Sequence, residues 1–542
     1  REQVFDDFFA MRLLPNKLSK SGPCIAVGDI NGDKRDDFYL GGAEGQSGIF
    51  GIQQIDGTFV PHHSQSCLLD STYEDQAALF FDIDMDGDLD LYVASGGSES
   101  ALDEEKYRED RVYLNDGKGV FTRSYESLTI DMRDKGSSSC VIGADIDKDG
   151  DIDLFVGGRF LPGAYPKTPK SYILYNDKGI LRDITMTVAP QLQYAGMVTS
   201  ALWTDYNNDT MLDLIVVGEW MAPKVFKNDG NSFVEQVVST GLGHYSGWWN
   251  SINGGDFDND GDIDYILGNA GHCSRYSPTM KEPVKLYAND FDDNGSTDLI
   301  MSMFLEGKEV PARLRDALVS QMPTIQKRFP EYTKFANAGI GDFIGGTHKD
   351  TTTVLTATHF ASSLIENKGN GKFVVHDLPP IAQSSPMFGT YIDDINGDGN
   401  LDVITVGNFY GPDPEMWRYD AGTGTVLYGS GGLDFTTLPF ERETFFTRGD
   451  TRAIASIMNV KTQQLSFIVS VNGAKPILFN ADNGEKHGIQ YLPIERPLVQ
   501  GWFVDLKNGK SRKHERYFGS GYYSQSSGFM TKSSTVKKIR YY

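Results

Sequence analysis

Cysteine is scarce in this chain: four in 542 residues, at positions 24, 67, 140 and 273. That spacing supports no disulfide framework. Cys24 and Cys140 each stand five residues before an aspartate, Asp29 and Asp145, that opens a repeated motif. Equivalent places in separate repeats rarely touch, so both read as buried strand residues. No apolar run is long enough for a transmembrane helix, and no signal-peptide pattern is present. The chain opens on Arg1 rather than Met, which fits a processed or trimmed product. Nine histidines form no His-Glu-x-x-His site, and there is no Gly-x-Ser-x-Gly elbow or Gly-x-x-x-x-Gly-Lys-Ser/Thr phosphate loop. These gaps exclude zincins, α/β-hydrolases and P-loop enzymes. Positive charge is short as well: 50 Lys and Arg against 74 Asp and Glu leave a net charge of −24. An acidic chain without a basic, aromatic-lined groove is no nucleic-acid binder.

What is abundant is aspartate in register. Seven times the chain places Asp or Asn at positions one, three, five and nine of a short loop, then runs into an apolar strand. The first loop has Asp29, Asn31, Asp33 and Asp37, with Arg35 at position seven. The second has Asp82, Asp84, Asp86 and Asp90, with Asp88; the third Asp145, Asp147, Asp149 and Asp153, with Asp151. The fourth has Asp205, Asn207, Asp209 and Asp213, with Met211; the fifth Asp256, Asp258, Asp260 and Asp264, with Asp262. The sixth has Asp290, Asp292, Asn294 and Asp298, with Ser296; the seventh Asp394, Asn396, Asp398 and Asp402, with Asn400. Oxygen donors at alternate positions of a tight loop suit a hard divalent cation, and Ca²⁺ fits best. Arg and Met at position seven rule out a side-chain ligand there, so the expected donor is the backbone carbonyl.

An EF-hand needs Glu at position twelve and a following helix. Position twelve here is Leu40, Val93, Val156, Val216, Leu267, Met301 and Thr405, all in β-type runs, so EF-hands are excluded. Positions one, three, five and nine together carry 24 carboxylates, equal to the whole charge excess. Seven Ca²⁺ would add +14 and leave −10. Loops two, three and five have four carboxylates each and Gly at position six, and are expected to bind most tightly. Loops one and four have three, with Lys34 and Thr210 at position six, and are expected to bind most weakly.

Most loops are followed by a hairpin of the form seen at 112–121, Val-Tyr-Leu-Asn-Asp-Gly-Lys-Gly-Val-Phe. Asn-Asp-Gly between apolar runs signals a tight turn. Strand, Asp loop, strand, strand, turn, strand, repeated every 50 to 63 residues, is a propeller blade. The expectation is an all-β, seven-bladed β-propeller over 21–440, preceded by an arm at 1–20 and followed by a β-rich region at 441–542. Residues 451–482 would make an eighth, metal-free blade or open a small β domain. Spacing breaks at Asp290, 34 residues after Asp256 and 104 before Asp394. The reading places the Asp290 loop at the outer turn of blade five and gives the hairpin 364–378 to blade six. A helical insertion is expected within 306–340, where Leu314, Leu318, Met322, Ile325 and Phe329 recur at helical steps and Pro323 and Pro330 cut the run.

Asp loops joined to Asn-Asp-Gly hairpins resemble the FG-GAP/VCBS repeats of integrin-like propellers. The tail at 483–542, with Leu506-Lys507-Asn508-Gly509-Lys510 and Gly521-Tyr522-Tyr523-Ser524-Gln525-Ser526-Ser527, resembles the ASPIC/UnbV module. Segments such as Arg12–Ser19 and Gly247–Ser251 are similar to large bacterial surface VCBS-repeat proteins. The resemblance implies an exported protein at the outer membrane or secreted, not spanning the membrane. Its implied partner is a protein or glycan at the cell surface, with an outer-membrane transporter complex among the candidates. Millimolar calcium outside cells points to the same extracytoplasmic home. The function expected is a non-catalytic, calcium-stabilised binding scaffold. The alternative is a calcium-dependent polysaccharide lyase or hydrolase acting in the propeller funnel. Arg448-Gly449-Asp450 reads as an ordinary turn, and His244, Trp248, Trp249 and His272 as packed or rim positions.

Overall fold

A computed structural model describes residues 5–542, except 100–107, 130–135, 238–239, 345–349, 440, 481–488 and 495–498. It is an all-β propeller. Seven antiparallel sheets follow one another along the chain, and each begins with a strand at the centre of the ring. These first strands are Ile25–Gly28, Glu74–Phe81, Ser137–Ala144, Met197–Thr204, Ser251–Gly255, Gly389–Asp393 and Thr451–Asn459. Each touches the next, and the last touches the first.

The physical reason for the ring is two-sided burial. A sheet flanked by two others needs apolar residues on both faces, so its inner strands read as nearly continuous apolar runs. Glu74–Phe81 and Asp153–Phe160 are buried at every position. Between each adjacent pair lies a separate apolar cluster. The cluster that closes the ring joins Ile25 and Val27 of the first sheet to Ala453, Ile457 and Ile468 of the seventh.

The middle of the chain departs from the sequence reading. The hairpin 364–378 is not the outer hairpin of a sixth blade. Ser363–Asn367 pairs with Asp264–Gly268 and completes the fifth sheet. The Asp290 loop is therefore not an outer turn of that blade. It joins Val284–Asn289 to Asp298–Leu305 in an inserted four-stranded sheet with Lys308–Pro311 and Thr353–Ala357. The Asp394 loop thus belongs to the sixth sheet, and Thr451–Asn480 makes the seventh rather than an eighth. A 94-residue detour between two paired strands looks in sequence like an extra repeat, because spacing cannot say which strand the chain returns to.

Helices Arg315–Gln321, Thr324–Arg328 and Tyr332–Ala336 follow, interrupted at Pro323 and Pro330. Leu318, Met322, Ile325 and Phe329 are buried against the inserted sheet, while Leu314 is mostly exposed. Among the described residues no helix is long and apolar enough to cross a membrane.

The C-terminal region returns to the ring. Ser511–Glu515, Gly501–Leu506 and Val536–Tyr541 form one small sheet, and Gln490–Pro493 pairs with Phe529–Lys532. Between them the chain runs into the central channel. Tyr523 O accepts from Ile25 N (3.0 Å), Phe518 O from Gly143 N (2.8 Å), and Gly521 N donates to Ile252 O (2.9 Å). Gln525 meets both Phe80 N and Phe80 O (2.7 and 2.8 Å), Ser200 donates to Gly521 O, and Ser527 N donates to Ser456 O (3.0 Å). Gly521 also lies against Thr390 of the sixth sheet. One segment thus reaches the first strand of every sheet. Gly519 has φ +83, and a Cβ there would stand 2.9 Å from Val141 O, so only glycine passes at that point.

Candidate metal centres

All seven Asp loops share one backbone. Position six is left-handed throughout, including Lys34 (φ 65) and Thr210 (φ 70). So is position four, where five of the seven residues are not glycine: Met85, Lys148, Asn208, Asn259 and Asp293. The sequence reading found the first of these turns and missed the second, because position four carries no glycine signature.

The donors at positions one to five hold this turn. In every loop the position-five oxygen accepts the N–H of position seven, at 2.7–3.2 Å. In six loops the position-one carboxylate accepts the N–H of position six, at 2.7–3.2 Å. These bonds leave the carboxylates facing inward. In loops two to six, three of them bring oxygens within 4.8 Å of one another: Asp82, Asp84 and Asp86; Asp145, Asp147 and Asp149; Asp205, Asp209 and Asp213; Asp256, Asp258 and Asp260; Asp290, Asp292 and Asp298. The Asp29 and Asp394 loops do not converge to that degree.

Position nine has a second task. Asp37, Asp90, Asp153, Asp213, Asp264, Asp298 and Asp402 are all buried. In the six ring loops Oδ1 accepts a backbone N–H from the outer hairpin, as from Asn115 to Asp90 and Asn176 to Asp153, both 2.8 Å. Burial, with the neighbouring carboxylates, pushes Asp90 up to about 7 and Asp153, Asp213 and Asp264 up to about 8. A bound cation would reverse that shift.

The hairpin asparagines do more than turn the chain. Asn115 Nδ2 donates to Ile30 O, Asn176 to Ile83 O and Asn367 to Tyr206 O, at 2.7–2.9 Å. Each acceptor is position two of the preceding sheet's loop. Every such bond fastens a candidate centre to the next sheet, a contact that the sequence could not reveal.

Do these residues fit a hard cation? Buried carboxylate oxygens without a hydrogen-bond partner provide the test. Asp88 Oδ1, Asp145 Oδ1, Asp151 Oδ1, Asp292 Oδ1 and Asp394 Oδ1 are such atoms. An unmet buried acceptor costs about 1–3 kcal/mol, more for a charged one. All-oxygen donor sets with orphaned anionic oxygens fit Ca²⁺. Asp88 and Asp151 refine the reading of position seven. Burial and the adjacent aspartates push them up to about 6 and 7, so in these two loops position seven adds a buried carboxylate beside the converging three. Arg35 and Met211 supply no carboxylate at that position; Arg35 pairs with Asp33 instead.

The other residues singled out from sequence are structural. Trp248 and Trp249 are core residues, and Asp450 is buried against Arg452, which removes Arg448-Gly449-Asp450 as an exposed loop motif. The four cysteines are free thiols.

Residues 82–156 and 171–267, less than half of the chain, match the FG-GAP-like repeat family. No curated protein matches the chain. Solved structures match at low identity. BBS1N in complex with ARL6DN is 9% identical over 86% of this chain and 94% of that one, with a TM-score of 0.39. YCF48 bound to D1 peptide is 8% identical over 87% and 98%, with a TM-score of 0.38. Rhamnogalacturonan lyase YesW is 9% identical over 94% and 72%, with a TM-score of 0.34. Likenesses of this degree carry no inference about what this chain binds.

Proposed function

We propose that this protein is a non-catalytic, calcium-stabilised scaffold that works outside the cytoplasm, at a bacterial outer membrane or secreted, and holds a protein or glycan. On this reading the 483–542 tail is an ASPIC/UnbV-like module and the chain is a subunit of a surface complex beside a transporter. Asp82, Asp84, Asp86 and Asp88, with their counterparts, would hold Ca²⁺, which supplies fixed positive charge at the hairpin bends.

One observation carries the preference for binding over catalysis. The central channel, where funnel chemistry would take place, is occupied by the chain's own residues 516–528, bonded to the first strands of the sheets. The cavity left beside them is about 300 Å³. Open recesses lie elsewhere. One, about 640 Å³, runs along Gly41–Ala43 and Gly473–Lys475 with His63 and Glu74, a size suited to a ligand or a partner's loop.

The test pairs binding with turnover. The calcium-loaded protein is applied to a glycan array and used for native pull-down from membranes, and is assayed on uronic polysaccharides. Retention of a glycan or a stoichiometric surface partner without turnover is expected. Unsaturated product absorbing above background would overturn the scaffold reading in favour of a lyase.

A further inference from the structure

The seven Asp loops are not electrostatically alike, and the difference lies in what the rest of the chain sends to them. At the fourth loop two ammonium groups arrive. Lys513, nearly fully buried, comes from the C-terminal strand; its Nζ donates to Asn208 Oδ1 (2.6 Å) and Asp205 O (3.1 Å) and lies 3.7 Å from Asp205 Oδ2. Lys227 Nζ lies 3.2 Å from Asp209 Oδ2. At the first loop the Arg35 guanidinium pairs with Asp33 Oδ2 and is steadied by a bond from Nε to Gln53 O (3.0 Å). In these same two loops the position-three asparagine turns its amide onto the position-nine carboxylate: Asn31 to Asp37 at 3.1 Å and Asn207 to Asp213 at 3.2 Å.

A second, independent observation agrees for the first and fourth loops. Orphaned buried carboxylate oxygens occur in the loops at Asp82, Asp145, Asp290 and Asp394. Among the described residues none occurs in the loops at Asp29 and Asp205; in the loop at Asp256 the one partnerless buried oxygen is the Asn259 amide's. The carboxylates of the fourth loop do converge. What sets it apart is that its negative charge is already met.

We infer that the first and fourth loops carry their counter-cation in the protein itself, Arg35 in one and Lys513 with Lys227 in the other, so that metal enters only the remaining five. The inference rests on the calcium reading above and sharpens it. Two cations cannot share one carboxylate cluster without strong repulsion. A buried lysine held by four oxygens, Glu515 Oε1 at 3.4 Å among them, is not easily displaced. Lys513 also gives the arrangement a purpose: its backbone N–H donates to Asp256 Oδ2 (2.8 Å) and Glu515 Oε1 accepts Asp205 N (3.0 Å). The strand that leads into the channel is thus pinned to the ring by a fixed charge that needs no metal.

The test is metal stoichiometry on the full chain, equilibrated with excess Ca²⁺ and read by elemental analysis and native mass spectrometry. Five ions per chain are expected. Asp82→Asn should lower the number by one, whereas Asp205→Asn should leave it unchanged. Lys227→Met with Lys513→Met should raise it by one, and so should Arg35→Met. The asparagine variants are isosteric and keep the answer available if the lysine pair fails to fold. Six or seven ions in the unaltered chain, or one ion lost in Asp205→Asn, would overturn this inference and leave the calcium reading intact. No bound ion at all would overturn both.

Discussion

The second and seventh sheets solve the same problem with opposite chemistry. Each must turn its first strand into its second at one end of the ring. In the second sheet the turn is Asp82 to Asp90, with five carboxylates in nine residues. In the seventh it is Asn459-Val460-Lys461-Thr462-Gln463-Gln464, with none. Asn459 Oδ1 accepts from Lys461 N and Thr462 N (3.0 and 3.2 Å), Gln463 takes the left-handed turn at φ 53, and Gln53 Oε1 accepts from Val460 N (2.7 Å). Neutral amides therefore suffice to close this hairpin. In the other sheets carboxylates do the same job, and they bring repulsion that neutral amides would not. The difference makes the seventh sheet a control inside the molecule for what a bound cation would do.

The strongest way to break that contrast is to remove the metal. Chelation with EGTA should lower Tm sharply, because a ligand bound only by the folded state stabilises it by about 2.7 kcal/mol per site at a hundred times Kd. Hydrogen exchange should quicken at 82–90, 145–153 and 256–264 and change least at 458–465. An unchanged melting curve, or equal quickening at both ends of the comparison, would show that the Asp loops are no more metal-dependent than the amide turn.

Next in size is a position that should matter with or without calcium. Asp90 accepts Ile83 N (3.0 Å) and Asn115 N (2.8 Å) in a buried setting. Asp90→Ala strands two backbone donors at about 1–3 kcal/mol each. Thr462→Ala in the seventh sheet's turn should cost less than about 0.5 kcal/mol. Urea unfolding of both variants measures the ratio. A small loss for Asp90→Ala would mean that water replaces the carboxylate and that position nine is not the stitch between loop and outer hairpin.

A finer contrast lies among the Asp loops themselves. Asp86→Ala should destabilise the calcium-loaded protein by about 1–2 kcal/mol more than Asp33→Ala. Asp33 faces Arg35, and the clustered oxygens around Asp86 face one another. The gap should close in EGTA. Thermal melts of both variants with and without calcium decide it, and a gap that survives chelation would point to packing instead.

How much of this could be seen beforehand depends on where the information sits. The convergence of Asp82, Asp84 and Asp86 was legible because alternate spacing in a tight loop is local, and the strands after them were legible because both faces are apolar. The cations at two of the loops were half legible: Arg35 is local to its loop, but Lys513 reaches the fourth from more than 300 residues away. The inserted sheet was misassigned because Ser363–Asn367 can be matched to Asp264–Gly268 only by pairing, which spacing does not encode. The tail's path was illegible for a related reason. Gly519 and Gly521 advertise a turn but not the channel that demands it.

The smallest expected effect tests the turn alone. Lys34 and Thr210 hold φ values of 65 and 70, where other loops place glycine. A non-glycine residue there costs about 1 kcal/mol through the clash of Cβ with the backbone carbonyl. Lys34→Gly and Thr210→Gly should therefore each raise stability by about 0.5–1 kcal/mol, less than the full strain because glycine also frees the unfolded chain. The bonds that hold the turn come from backbone N–H groups, Lys34 to Asp29 Oδ2 (2.7 Å) and Thr210 to Asp205 Oδ2 (3.0 Å), and survive the change. Because the gain comes from the backbone, it should be the same with and without calcium. A gain seen only with calcium would mean that the glycine admits an ion, and would place the weakness of these two loops in their turns rather than in Arg35 and Lys513.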